Sequence, residues 1–305
     1  MRSAIHAFAT EAKAMSKPVS LSLPAPRRRL ISLPRLPVTS AIALVVLVLI
    51  VGMAIFAPWV ANHDPVALAP AFRLKPASAE FWLGTDAYGR DLFSRIVYGA
   101  RISLTVGVGV TVLSILIGLP LGLMAGYFRG LDALLMRVMD GLMAIPGILL
   151  AIAIVSLSSA GIWTVMIAIM VPEIPQVVRL VRARVLSTRE EPYVEAAVLM
   201  GTSTLKILTR HLMPNTLAPL IVQGTYICAS AILTEAILSF LGAGIGTEIP
   251  TWGNIISEGR VYFQLKPSLV LWAGLALSLC ILSINLLGDA ARDALDPRMK
   301  KRGAA

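Results

Sequence analysis

Residues 141–172, GLMAIPGILLAIAIVSLSSAGIWTVMIAIMVP, form a run of 32 residues without a charge. As one helix the run would be about 48 Å long at about 1.5 Å per residue, whereas a bilayer's hydrocarbon core is roughly 30 Å thick. It must therefore turn. The small polar residues and glycine of SLSSAG (residues 156–161) suit a tight connection, so the run is expected to share out between one membrane span over about 134–157 and another over about 162–181.

Outward from this run, the chain keeps the same character. Of its 305 residues, 57% are hydrophobic and 14% charged, and the mean hydropathy of +0.79 lies outside the balance of soluble domains. Apolar runs over 41–62, 102–128, about 215–241 and about 267–288 supply four more spans. The expectation is an all-α integral membrane protein with six transmembrane helices.

The loops set the orientation. With the N-terminus inside, the cytoplasmic segments carry 20 Lys/Arg and the external ones 7; the positive-inside rule then places both termini in the cytoplasm. The net charge of +10 is largely accounted for as a topology signal, and no nucleic-acid partner is needed to explain it. Residues 1–40 contain RRR (27–29), five prolines and no sustained helical period, which reads as a flexible tail near anionic lipid headgroups. No short apolar core followed by a small-residue cleavage site precedes the first span.

Several chemistries are disfavoured. The chain has no GxxxxGK[ST] phosphate loop, no GxSxG elbow and no HExxH helix, so ATP binding through a P-loop and the commonest hydrolytic sites are not expected. His6, His63 and His211 lie far apart and Cys228 and Cys280 fall within spans, a poor basis for a metal site. No catalytic residue is assigned. Two carboxylates within spans stand out, because burying one uncompensated is costly. Glu235 is a candidate for the translocation path; the alternative is a hydrated helix end or a pair with a neighbouring subunit. Glu173, between Pro172 and Pro175 in VPEIPQ, is expected in a broken helix whose freed backbone groups and carboxylate face the interior.

Between the fourth and fifth spans lies a polar, punctuated stretch, EPYVEAAVLMGTSTLKILTRHLMPN (191–215). Pro192 suits a first helical turn and Gly201 a sharp change of direction. Thr202 or Ser203 is placed to cap a second helix in which Leu205, Leu208 and Leu212 share a stripe. The stretch reads as a cytoplasmic helix-turn-helix, with small alanines that allow close approach by another surface.

EAA, a glycine four residues after its last alanine, and the downstream LMPN resemble the EAA loop of the permease subunits of ATP-binding-cassette importers. LGTDAYGRDLFSRIVYGARISL (83–104), DGLMAIPGILLA (140–151), ILTEAILSFLGAG (232–244), TWGNIISEGR (251–260) and INLLGDAARDALDPR (284–298) are similar to the dipeptide, oligopeptide and nickel branch of that family, in particular its C-type subunit. The likeness runs from about residue 40 onward; VPEIPQ departs from it. The resemblance implies a type I importer transmembrane domain with a cytoplasmic coupling helix. Glu195, Ala196, Ala197, Gly201 and Pro214 would then meet the ATPase, and Trp252, Gly253 and Asn254 would lie in the face that meets the binding protein. It implies as partners a B-type permease, two ATPases that bind ATP and Mg, and an extracytoplasmic binding protein. The setting would be the bacterial inner membrane, and the solutes peptides, nickel chelates, glutathione or opines. Organisation follows as a tail (1–40), a first span with an external segment (41–100), the permease core (101–290) containing the coupling loop (187–214), and a C-terminal tail (291–305). A self-sufficient secondary transporter and a membrane scaffold are the rival readings.

Overall fold

The computed structural model describes residues 37–158 and 161–295. The tail over 1–36, Ser159 and Ala160 of the SLSSAG connection, and the last ten residues lie outside them. Among the described residues the regular structure is helical, and the labelled helices are α1 (Val38–Ile55), α2 (Leu92–Tyr127), α3 (Arg129–Met143), α4 (Gly147–Ser156), α5 (Ile162–Thr188), α6 (Pro192–Leu199), α7 (Thr204–Phe240), α8 (Trp252–Arg260) and α9 (Ser268–Leu295). Five of these, α1, α2, α5, α7 and α9, are long and apolar enough to cross a bilayer. The expected six is reached only by counting α3 and α4 together, and they are bent by 84° to one another.

That bend corrects the reading of the third span. The expected helix over 134–157 is broken at Ala144–Pro146, where Pro146 takes φ −53°, ψ 125° and begins α4. Proline lacks an amide N–H and drives the residue before it out of helical geometry. Gly147 lets the elbow close on α5, since a Cβ there would lie 3.2 Å from Pro172 Cβ. α3 packs Met139 into the core beside α5 and adds polar contacts: Arg182 binds Asp132 through two hydrogen bonds of 2.5 and 2.6 Å, and Arg179 binds Asp140 at 2.5 Å. The break expected at VPEIPQ is absent, because α5 runs through Pro172 and Pro175 without interruption. Of its most apolar stretch 61% is buried, and this packing overrides the loss of two backbone hydrogen bonds.

α5 is central because α2 lets it come close. Gly118, Gly122 and Gly126 of α2 repeat every four residues, as do Val177, Val181 and Val185 opposite; a Cβ on any of the three glycines would lie 2.6 Å from a valine carbon. Small residues at such intervals permit backbone contact between membrane helices, where dispersion rather than water exclusion drives association. The resulting core of α2, α5 and α7 includes Val106, Val177, Val181, Ile227 and Leu238. A second cluster joins α1 and α9 to α2 and α7 through Ile50, Ala100, Cys280 and Ile284. Cys228 and Cys280 are free thiols packed as apolar groups.

α7 also differs from expectation. No separate capped helix precedes the fifth span: Ser203 occupies the cap position without a side-chain hydrogen bond, and the helix continues from Thr204 through a π-helical turn at Ile207–Leu212. Met213 N–H accordingly donates to Leu208 five residues back, and the wider turn accommodates Pro214 next to it. It also shifts the buried stripe from Leu205, Leu208 and Leu212 to Ile207 and Leu212, leaving Leu205 71% exposed. α9 extends to Leu295, so the segment expected as a C-terminal tail from 291 begins in helix.

Candidate functional site

Three regions of the described residues bear on the site. At one end of the bundle, α6 begins with Pro192 at its first turn, and Val194 and Ala197 bury one narrow face. Glu195 and Ala196 are exposed. Gly201 closes the helix at φ +75°: its N–H donates to Val198 O at 2.9 Å and the N–H of Thr202 to Ala197 O at 3.1 Å. These two bonds make a Schellman motif, which satisfies the last carbonyls and needs a left-handed residue. The apolar residues just before it, Leu199 and Met200, are 88% and 80% exposed. Pro214 is exposed on α7, and Asn215 beside it donates through Nδ2 to the Tyr193 hydroxyl at 3.1 Å, tying α6 to α7. The structure thus brings Glu195, Ala196, Ala197 and Gly201 into one capped projection, with Pro214 next to its anchor.

At the opposite end the expected residues are interior. Trp252 is fully buried and donates its indole N–H to Ile96 O at 3.1 Å. Gly253 is buried against α7, where a Cβ would lie 2.6 Å from Ala236 Cα. Asn254 Nδ2 donates to Ile245 O at 2.9 Å and Ile249 O at 3.0 Å, holding the loop before α8. Glu235 is also fully enclosed; Ser239 Oγ donates to it at 2.8 Å and Ser103 Oγ approaches at 3.5 Å. Neither a hydrated helix end nor an exposed path surface describes its position within this chain.

An ion cluster at this end lay beyond sequence reasoning. Arg90 binds Asp86 at 2.6 Å and Glu258 of α8 at 2.5 Å, and Arg95, completely buried in α2, binds Glu258 at 3.1 Å. Burial pushes the Glu258 carboxyl above the ordinary range, while Arg95 and Arg90 draw it back. Lys266 donates to Lys75 O and, at 2.8 Å, to Thr85 O; burial pulls its ammonium below the usual lysine value. The cluster fastens the segment over 61–91 onto α8. Asp86, Arg90 and Glu258 are visible in DAYGRD and SEGR and Arg95 four residues beyond the first, but no local pattern pairs residues 163 and 168 positions apart.

Between the ends, α5 and α7 share a polar seam. Ser230 donates to Glu173 at 2.9 Å, and Gln223 donates to Gln176 at 3.1 Å. Asn215, Gln223, Ser230 and Thr234 are spaced to lie along one side of α7. Intramembrane polar residues in such a row face protein or water rather than lipid. Of these, only Glu173 stood out in the sequence.

Comparison with known proteins agrees with this architecture. Residues 118–301 match the family described as binding-protein-dependent transport system inner membrane component, and residues 39–77 match the N-terminal TM domain of oligopeptide transport permease C. A probable peptide ABC transporter permease of Sinorhizobium fredii is 49% identical over 79% of this chain and 83% of its own length. The di/tripeptide transport system permease of Pseudomonas aeruginosa is 44% identical (84% and 87% covered), and the glutathione transport system permease of Pectobacterium atrosepticum 40% identical (83% and 84% covered). In fold, a chain of the inward-facing MetNI methionine ABC transporter superposes with TM-score 0.54 at 19% identity, covering 66% of this chain and 96% of that one. The chain belongs to the binding-protein-dependent transport system inner membrane components, and has the type I ABC importer transmembrane fold. It is a multi-pass membrane protein and a transport permease.

Proposed function

We propose that this chain forms half of the solute pathway of an ATP-driven importer of short peptides, and that α6 is the surface gripped by a partner ATPase. The observation that carries the reading is the capped α6 projection: a short helix with Leu199 and Met200 almost fully exposed beside Glu195 and Ala196. Apolar groups of this size projecting from the bundle end are suited to a pocket in another protein. The relatives named for peptides, di/tripeptides and glutathione support a short peptide as solute. ATP and Mg belong to the ATPase subunits, the other half of the pathway to a B-type permease, and delivery to an extracytoplasmic binding protein. Both termini and α6 lie on the cytoplasmic side of the inner membrane, as the excess of Lys/Arg there supports. For ATP to shift the permease between its outward- and inward-open states, the ATPase must bind α6 differently in the two.

Glu195, Ala196, Ala197 and Gly201 form the lever, and Pro214 its junction with α7. Glu235 stands in the wall of the pathway rather than on its surface. Trp252, Gly253 and Asn254 shape the binding-protein face from beneath. The test is reconstitution of the chain with its partner subunits in vesicles: labelled dipeptide should enter only with ATP and binding protein. Uptake driven by an ion gradient without ATP would establish a secondary transporter instead, and a chain that copurifies with no ATPase would point to a scaffold.

A further inference from the structure

The elbow at Pro146 opens a cavity of about 270 Å³ between the end of α3, α4, α5 and α7, and Glu173 lies in its wall. The side chains around it include Met143, Ile145, Pro172, Gln176, Ser230 and Thr234. Glu173 is 8% exposed, and Ser230 Oγ is its hydrogen-bond donor among the described residues. Among the described residues no Lys, Arg or His lines the cavity, and the two nearby arginines of α5 are engaged elsewhere, Arg179 with Asp140 and Arg182 with Asp132. A carboxylate that is nine-tenths buried, with one hydroxyl as its donor and no cation beside it among the described residues, lacks the partner that buried charges require. The rim is nevertheless open: Gln176 and Ser230 are exposed, and the polar seam continues from them to Gln223 and Asn215.

We propose that Glu173, with Ser230 and Gln176, is a way-station for a primary ammonium group of the travelling solute, which supplies the missing cation. The proposal rests on the importer reading above and adds to it a charge preference within the membrane. An ammonium has three donors: one for the free carboxylate oxygen, and others for the Gln176 amide oxygen or the Thr234 hydroxyl. The cavity holds the head of a solute while the seam along α5 and α7 leads onward.

The experiment uses the full complex in vesicles and three peptides at concentrations that saturate the binding protein: alanyl-alanine, lysyl-alanine and a desamino analogue of alanyl-alanine. With Glu173→Gln, uptake of both free-amine peptides should fall about tenfold, the effect of losing one charge-assisted hydrogen bond, while the desamino analogue changes less than twofold. A fall confined to lysyl-alanine assigns the site to a side-chain ammonium; a fall shared by both assigns it to the N-terminus. Equal slowing of all three peptides, or of none, overturns the proposal. Gln176→Lys, at an exposed position, places an ammonium beside the carboxylate and should slow the free-amine peptides in the same way; if the three rates keep their ratios in that variant as well, the cavity has no such role. Failure of the importer reading would appear in the wild-type complex as absent ATP-dependent uptake, whereas failure of this inference appears only in the variants of an active complex.

Discussion

The backbone amide of Thr202 reaches back over Gly201 to the carbonyl of Ala197 at 3.1 Å, so the end of α6 is locked by a residue at φ +75°. A Cβ on Gly201 would meet nothing within 4 Å, and the constraint there is conformational alone. Gly201→Ala should cost about 1–2 kcal/mol locally. The expected outcome is normal insertion and assembly with fewer peptides moved per ATP hydrolysed. Gly201→Asn, which tolerates left-handed geometry, should recover most of the ratio. Equal coupling in all three proteins would show that the closed loop is dispensable.

Helix contact predicts a sharper effect on stability. Gly118→Ala places a methyl group 2.6 Å from Val177 Cγ1 and forces α2 away from α5, at about 1–3 kcal/mol. Gly130→Ala, where a Cβ meets nothing, is the control. Thermal unfolding in detergent should separate the two, with a clear fall in Tm for the first variant only.

The ion cluster makes a further prediction. Glu258→Gln leaves Arg95 buried without its nearest carboxylate, and removing one member of a buried pair typically costs about 3–5 kcal/mol. Because Glu258 retains some contact with solvent and Asp86 remains within 3.7 Å of Arg95, the lower end of that range is expected. The segment over 61–91 should become the first site of limited proteolysis. Unchanged melting and cleavage patterns would mean that the cluster does not hold this segment in place.

Glu235 offers a contrast with Glu173. Glu235→Gln keeps a hydrogen-bonding group between Ser103 and Ser239 and should change uptake less than twofold. Glu235→Leu leaves the hydroxyls of Ser103, Ser239 and Thr251 without it and should lower stability by about 1–3 kcal/mol. A selective loss of transport in the glutamine variant, with melting unchanged, would place Glu235 on the solute's route after all.

What could be read in advance divides along physical lines. Apolar runs are local and the bilayer sets their length, so α1, α2, α5, α7 and α9 were all visible. Gly201 was visible too, because a left-handed cap has its own residue preference. Proline was ambiguous: IPG at 145–147 and VPEIP at 171–175 carry similar signals, yet the first breaks a helix and the second does not. The difference is tertiary. α5 is clamped by valines against glycines of α2 along its length, whereas the α3–α4 junction closes on α5 only after the turn at Pro146, through Gly147 against Pro172. The π-helical turn escaped notice because its stripe has neither the helical period of 3.6 nor a marker residue besides Pro214. Glu258 escaped because its partners are distant in the chain.

One consequence of that turn concerns reach. By absorbing Pro214 without a break, it leaves α7 unbroken from Thr204 to Phe240, a length of about 55 Å at about 1.5 Å per residue. Tyr193 of α6 is bound to Asn215 near one end of this span, and Arg260 of α8 donates to the carbonyl of Phe240 at the other. Pro219 is taken up within the same helix, and for a helix that moves as one rod a tilt of about 5° at the α6 end sweeps the far end through about 5 Å, close to the pitch of one helical turn. Ser230 and Thr234 lie along that arc, so the α7 wall of the cavity travels with it.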